Sequence, residues 1–183
     1  MKDLIKALLD YSRLGQGNLK IVPVDMGKIL DDLIEVLQTA ITEKEATITL
    51  VDRLPVIHAD RLHMQQLLQN LLSNALKFSR HGISPEIKIF CKEGTNEIGH
   101  ACWKFSVKDN GIGIKEEYFE KAQMIFQRLN DRDAYEGTGI GLAICKRIVE
   151  RHQGFLSIES AEGVGSTFHF HLPKHPNSPT LQA

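Results

Sequence analysis

The chain carries almost no net charge. Across 183 residues, 22 Lys and Arg stand against 23 Asp and Glu, leaving −1 with histidine neutral. That balance excludes the broad positive footprint by which DNA or an anionic lipid surface is recognised. Cysteine is scarce too. Cys91, Cys102 and Cys145 are odd in number and have no metal-ligand spacing. A disulfide framework and a cysteine zinc site are thereby excluded, and the three read as reduced core thiols of a cytoplasmic chain. No apolar run approaches the length of a membrane span, and no signal peptide opens the chain, although a membrane-anchored parent is compatible with both. The Walker phosphate-binding pattern is absent, which excludes a P-loop protein. What is present is 42% hydrophobic and 25% charged, enough to build one globular domain with a real core.

The most informative stretch is Gln69 to Phe78. Met64, Leu67, Leu68, Leu71, Leu72, Ala75 and Phe78 recur at three- and four-residue steps, the stripe of a core-facing helix. Asp60 stands where its N-cap belongs. At about 100° per residue, Asn70, Asn74 and Lys77 fall within roughly 60° of one another. They form a polar strip along one edge of the buried stripe. Amide oxygens can ligate a hard cation, and an ammonium can meet phosphate oxygens. A solvated edge of an ordinary amphipathic helix has the same composition, so this helix alone does not decide between the two.

Around it, the pattern predicts a helix over 1–14 that starts mid-pattern, as if it were the end of something longer, and stops at Gly15 and Gly17. A strand over 20–24, an Asp25-capped helix with Ile29, Leu30 and Leu33 inward, and a strand over 46–51 follow. Beyond the central helix come strands over 86–92 and 101–109. In the latter, Trp103, Phe105 and Val107 face one way, and Cys102, Lys104, Ser106 and Lys108 the other. Asp109 shares the parity of the large apolar residues. A carboxylate therefore ends the strand pointing at the core, where it needs hydrogen-bond donors. Asn110-Gly111-Ile112-Gly113-Ile114 is the next turn, with glycines that permit close backbone approach.

Residues 115–120 suit one helical turn, and 120–137 a polar loop anchored by Ile125 and Phe126. Gly137-Thr138-Gly139-Ile140-Gly141-Leu142 opens a helix running to about His152, and a glycine-rich helix start presents N–H groups to a phosphate. Strands over 155–160 and 166–172 close the fold; in the second, Phe168, Phe170, Leu172 and Ser166 face inward. The tail from Pro173 reads as disordered. His169 and His171 share a strand face, and with no third ligand nearby they are expected to face solvent rather than bind metal.

Each glycine cluster alone is weak; the ordered combination is specific. Asn70-Leu71-Leu72-Ser73-Asn74-Ala75-Leu76-Lys77-Phe78, Asp109 to Ile114, Ile125-Phe126-Gln127-Arg128-Leu129 and Gly137 to Leu142 resemble the N box, first glycine box, F box and second glycine box of sensor histidine kinase catalytic domains. These belong to the GHKL superfamily shared with DNA gyrase, the heat-shock ATPase chaperone and mismatch-repair ATPases. The resemblance covers roughly residues 20 to 173, and the F box is most similar to phytochrome-like and hybrid sensor kinases. It implies a Bergerat-type ATP-binding fold: an α+β, two-layer α/β sandwich whose mixed β-sheet is covered on one face by helices. It implies residues 1–17 as the end of a dimerisation helix, 18–173 as the catalytic domain and 174–183 as a disordered tail.

The resemblance also implies ATP and Mg²⁺ as ligands. Asn74 would hold Mg²⁺, with Asn70 lining the same edge. Lys77 would contact phosphate and Phe78 border the base. Asp109 would accept the adenine amino group, with Ser166 beside it. Gly111 and Gly113 would close over the base. Gly139 and Gly141 would place N–H groups at the phosphates, Thr138 and Leu142 would also line the cofactor site, and Phe126 and Arg128 would belong to the nucleotide lid. The implied partners are a histidine-bearing dimerisation domain and a response regulator, in a homodimeric parent.

Three departures matter. ATPase relatives carry a Glu general base four residues before the Mg-binding Asn; here that position is Asn70, and an amide cannot take a proton from water. Ala122-Gln123 stand where the family has an Ile-Phe-like pair. No His-Glu acceptor motif is present. A free-standing ATPase, an anti-sigma-type serine kinase and a degenerate nucleotide-binding module are the competing readings.

Overall fold

The computed structural model describes residues 9, 12, 14, 17–95, 100–119 and 139–174. The expected lid over 120–137, the tail beyond residue 174 and most of the expected first helix lie outside them, as do Phe126, Arg128 and Thr138.

Two aspartates start the first two helices. Asp25 ends β1 (Ile21–Asp25) and accepts the Gly27 and Lys28 N–H groups, opening α1 (Met26–Glu43). Asp60 does the same for the Leu62 and His63 N–H groups at the head of α2 (Arg61–Lys77). Each satisfies donors that a helix start otherwise leaves open. The strand ahead of α2, β3 (Val56–Asp60), was not expected from the sequence. It pairs antiparallel with β1, Ile21 opposite Asp60, as a separate two-stranded sheet. Only Ile57 and Ala59 of its residues are buried. So short an alternation, with His58 at its centre, is invisible until the distant partner supplies the ladder.

The main sheet has five strands in the order β2-β4-β5-β7-β6: β2 (Thr47–Leu50), β4 (Glu86–Thr95), β5 (Ala101–Asp109), β6 (Phe155–Ala161) and β7 (Gly165–Pro173). β2 runs parallel to β4, and every other pairing is antiparallel. One face is covered by α1, α2 and α3 (Gly141–Arg151). Leu67, Leu71, Ile144 and Ile148 are buried in one core with Ile87, Val107, Phe168 and the pair Phe105 and Phe170, whose rings stack at 4.8 Å. This is the expected two-layer mixed-sheet sandwich. No helix among the described residues is long and apolar enough to cross a membrane.

The far ends of the two inner helices are tied together. His152, just past α3, is buried and lies 2.7 Å through Nδ1 from the Ile148 carbonyl. Its Nε2 accepts the Asp60 N–H at 3.1 Å. That pair of bonds fixes the neutral tautomer with the proton on Nδ1. The His63 ring packs edge-on against it at 5.6 Å. Burial pushes both imidazoles below their ordinary value.

The open face of the sheet corrects one expectation. His169 does not face solvent: it is 5% exposed, with Nδ1 2.7 Å from the Ser106 Oγ and Nε2 3.2 Å from a Glu159 carboxylate oxygen. His171 stacks on Phe155 at 4.0 Å. Neighbouring strands bury alternate side chains even on a sheet face that none of the described helices covers.

Candidate functional site

β5 delivers a carboxylate to the sheet end. Its alternation carries Phe105 and Val107 into the core, and Asp109, two residues on, follows them to 8% exposure. Oδ1 accepts two backbone N–H groups, from Gly111 at 2.8 Å and Ser166 at 3.2 Å. Oδ2 takes no hydrogen bond among the described residues. Burial pushes the Asp109 pKa up, and the two amide donors only partly offset it. The result is a buried carboxylate with one oxygen fixed by the backbone and the other open to a donor.

The turn after it requires glycine for packing. A Cβ at Gly111 would lie 2.5 Å from the Phe78 carbonyl oxygen. The Ile112 N–H donates to that same oxygen at 2.9 Å. At Gly113, φ is +70° and a Cβ would lie 1.9 Å from the Ala161 carbonyl oxygen. Thus the turn lies directly on the end of α2 and the end of β6. Three contributors had no role assigned from the sequence. Gly165 passes so near Asp109 that a Cβ would lie 2.1 Å from its carbonyl oxygen. Ser160 Oγ accepts the Ile114 N–H, donates to the Gly165 carbonyl and lies 2.9 Å from the Ser166 Oγ. Asn110 accepts the Glu86 N–H and donates to the Ser84 carbonyl, pinning the turn to the head of β4. An Asn-Gly dipeptide and a Gly-Ser strand start were the available signals, but both are common turn features.

A second group gathers where α2 meets α3. Asn70 and Asn74 stand one helical turn apart, and the space for a Cβ on Gly141 is bounded by Asn70 Oδ1 at 3.8 Å and Asn74 Nδ2 at 3.9 Å. α3 begins there with Ile140 as its N-cap and no side-chain cap, just after Gly139 at φ +72°. Among the described residues Asn70 Nδ2 is buried with no nitrogen or oxygen partner, beside the buried Cys145 thiol. Leu142, half-buried, packs against the core. The Lys77 ammonium lies 4.4 Å above the Phe78 ring. The last turn of α2 joins the two groups: the Phe78 N–H donates to the Asn74 carbonyl, while the Phe78 carbonyl receives Ile112.

So the structure brings Asp109, Gly111, Gly113, Ser166 and Phe78 together, and Asn70, Asn74, Gly139 and Gly141 together. One set offers a directional acceptor in an apolar wall. The other offers amides and, among the described residues, a helix start with no side-chain cap, suited to oxygen-rich anions and their cations.

Known proteins match this arrangement. Residues 59–176 fit the family model described as histidine kinase-, DNA gyrase B-, and HSP90-like ATPase. The chain is 40% identical over 173 residues to the phytochrome-like protein Cph1 of Synechocystis sp., covering 94% of this chain and 22% of that protein. It is 37% identical to hybrid signal transduction histidine kinase B of Dictyostelium discoideum, over 93% of this chain and 9% of that one. It thus spans about a fifth or less of these relatives' length. Among solved structures, full-length ShkA in complex with AMPPNP superposes with a TM-score of 0.76 at 27% identity, covering 98% of this chain and 37% of ShkA. The catalytic domain of the histidine kinase ThkA superposes at 0.70 with 25% identity, covering 86% of this chain and 98% of that domain. From the Asn-bearing helix to the second glycine cluster, the chain is a member of the histidine kinase-, DNA gyrase B- and HSP90-like ATPase family, an ATP-binding domain homologous to the catalytic domains of sensor histidine kinases.

Proposed function

We propose that this domain binds Mg-ATP and delivers the γ-phosphoryl group to a histidine carried on a segment outside residues 18–173, as the catalytic part of a two-component sensor kinase. The observation that carries the choice of kinase over hydrolase is Asn70. It lines the site beside Asn74 and Gly141, where the ATPase relatives would place a glutamate base. An amide there orients but removes no proton, so water is not activated.

The roles follow from the two groups. The open Asp109 Oδ2 accepts the exocyclic amino group of adenine, and Phe78 borders the base. Gly111 and Gly113 let the backbone pass close to it, and Ser166 holds Asp109 through its own N–H. Asn70, Asn74 and the N–H groups at Gly139 and Gly141 take the phosphate end. Lys77, over the Phe78 ring, supplies an ammonium for a phosphate oxygen. Phe126, Arg128 and Thr138, outside the described residues, keep the nucleotide-contact roles that the resemblance implies, and Leu142 anchors the start of α3.

The fit to Mg²⁺ rests on donor chemistry. Among the described residues no cluster of three His, Cys, Asp or Glu could hold a metal by itself. Asn74, with Asn70 alongside, would supply one or two amide oxygens, and phosphate oxygens and waters the rest, since this ion usually keeps several waters beside a few protein oxygens. Mg²⁺, when bound, neutralises phosphate charge; phosphoryl transfer then depends mostly on positioning. The partners on this reading are a dimerising, histidine-bearing domain and a response regulator. The parent is a cytoplasmic-facing homodimer that binds no nucleic acid.

Radioactive ATP tests this directly. The chain alone should hydrolyse ATP slowly and stay unlabelled. A supplied dimerisation domain bearing a histidine should acquire acid-labile label. Brisk hydrolysis by the chain alone, or acid-stable label on it, would overturn the kinase reading.

A further inference from the structure

Arg80 lies beyond every motif, three residues past the end of α2, yet it touches both walls of the base pocket. Its Nε donates to the Asn110 carbonyl at 2.8 Å, and its Nη1 to the Gly163 carbonyl at 2.9 Å. Asn110 is the residue between Asp109 and Gly111. Gly163, at φ +75°, is in the β6–β7 turn, two residues before Gly165 and three before Ser166. The Gly163 N–H donates to the Ile112 carbonyl at 2.7 Å, and Lys115 reaches Glu162 at 3.5 Å. One guanidinium therefore bridges the two segments whose N–H groups, at Gly111 and Ser166, hold Asp109 Oδ1.

We infer that Arg80 is a positioning residue for base selection: it sets the separation of the Asp109 turn from the β6–β7 turn, and so the aim of Asp109 Oδ2. The inference rests on the adenine reading of Asp109. The chemistry favours arginine in particular. A planar fork reaches two carbonyls at fixed separation, and a lysine ammonium at the end of a flexible stem does not hold that spacing. Two hydrogen bonds from a charged donor are also stronger than neutral ones. Arg80 touches no part of the site's interior, so its effect passes entirely through Asp109. Loosening the bridge should let Oδ2 turn away from a donor while leaving the phosphate end intact.

The discriminating readout is base preference, which a merely structural arginine would not move. Binding of the Mg²⁺ complexes of ATP and ITP to the 183-residue chain is measured by calorimetry, beside melting without nucleotide. ITP replaces the adenine amino group with a carbonyl, which a carboxylate repels. Wild type should prefer ATP. Arg80→Gln should weaken ATP roughly tenfold while leaving ITP nearly unchanged, so the preference collapses. Arg80→Lys, which retains the charge and can still meet one of the two carbonyls, should fall between and guards against a misfolded Gln variant. Asp109→Asn is run in parallel. Collapse of the preference in Asp109→Asn but not in either Arg80 variant would overturn the role of Arg80 alone. An unchanged preference in Asp109→Asn would overturn the adenine reading and this inference with it. Equal loss of ATP and ITP in both Arg80 variants, in step with a lowered melting temperature, would mark Arg80 as structural and also overturn the inference.

Discussion

The two walls of the site are built from different materials. The base wall is mostly backbone. Gly111 and Ser166 N–H groups meet Asp109, Ile112 meets Phe78, and Gly163 meets Ile112, with glycines wherever a Cβ would strike a carbonyl. The phosphate wall is side-chain amides and a helix start without a side-chain cap, and one amide, Asn70 Nδ2, is buried beside the Cys145 thiol with no nitrogen or oxygen partner among the described residues. A wall whose donors are already paired can discriminate shape and one open acceptor. A wall with an uncapped helix start waits for charge, since N–H groups at the positive end of a helix dipole favour an anion. Identity of the base and grip on the phosphates are thus separable, and each can be broken without the other.

The largest effect is expected at Gly113. Alanine there must hold φ +70° and displace the Ala161 carbonyl. Strain and backbone collision together should cost more than about 3 kcal/mol, and nucleotide binding should vanish with the base wall. Near-wild-type urea stability in Gly113→Ala would show that the turn is not pinned as described.

Next is Asn74. Asn74→Ala should weaken the Mg-ATP analogue by roughly tenfold or more, yet change binding of adenosine, which has no phosphates, by less than about twofold. Equal losses for both would mean that the two walls are not separable.

Smaller, and of opposite signs, are the effects of Gly141→Ala. The Cβ has room beside Asn70 and Asn74, and alanine favours a helix start over glycine, so stability without nucleotide should rise by up to about 1 kcal/mol. Affinity for the triphosphate should fall a few-fold, because the methyl enters the space between the amides. A stability gain with unchanged affinity would remove Gly141 from the phosphate wall.

The smallest effects come from pH. Burial depresses His63, His152 and His169 below 6.5, and takes His171 to about 4. The unfolded chain binds more protons in that window, so their contribution is complete above pH 6.5 and is lost as pH falls toward 4. Asp109 has the opposite sign: its raised pKa adds stability at low pH that is lost as pH rises through the folded value. Urea midpoints should therefore decline from pH 6.5 to 4 on the histidine term. ATP affinity should start falling at a higher pH than an ordinary aspartate of 3.8 would give, because the open oxygen must stay unprotonated. A flat midpoint over that range would contradict the neutral, bonded state of His152.

The two walls were also unequally legible in the sequence. Period-two parity placed Asp109 inward, and period-3.6 spacing put Asn70 and Asn74 on one edge of α2; both signals lie within single elements. What escaped depends on pairings between distant elements. β3 needs β1 to exist as a strand, Gly165 and Ser160 need the β6–β7 turn folded back on Asp109, and Arg80 needs both turns in place. His169 was misassigned to solvent for the same reason. Its burial comes from Ser106 and Glu159 on adjacent strands, and alternation along one strand says nothing of its lateral neighbours.

The central claim is that Asp109 holds one oxygen on the backbone and offers the other to adenine. Calorimetric titration of Asp109→Asn with the Mg-ATP analogue, against wild type, tests it most directly, because the exchange preserves shape while turning an acceptor into a possible donor. The account predicts a loss of roughly 30-fold or more in affinity, with the melting temperature of the nucleotide-free protein unchanged or raised, since a buried charge has gone. Wild-type affinity in a folded Asp109→Asn protein would contradict it.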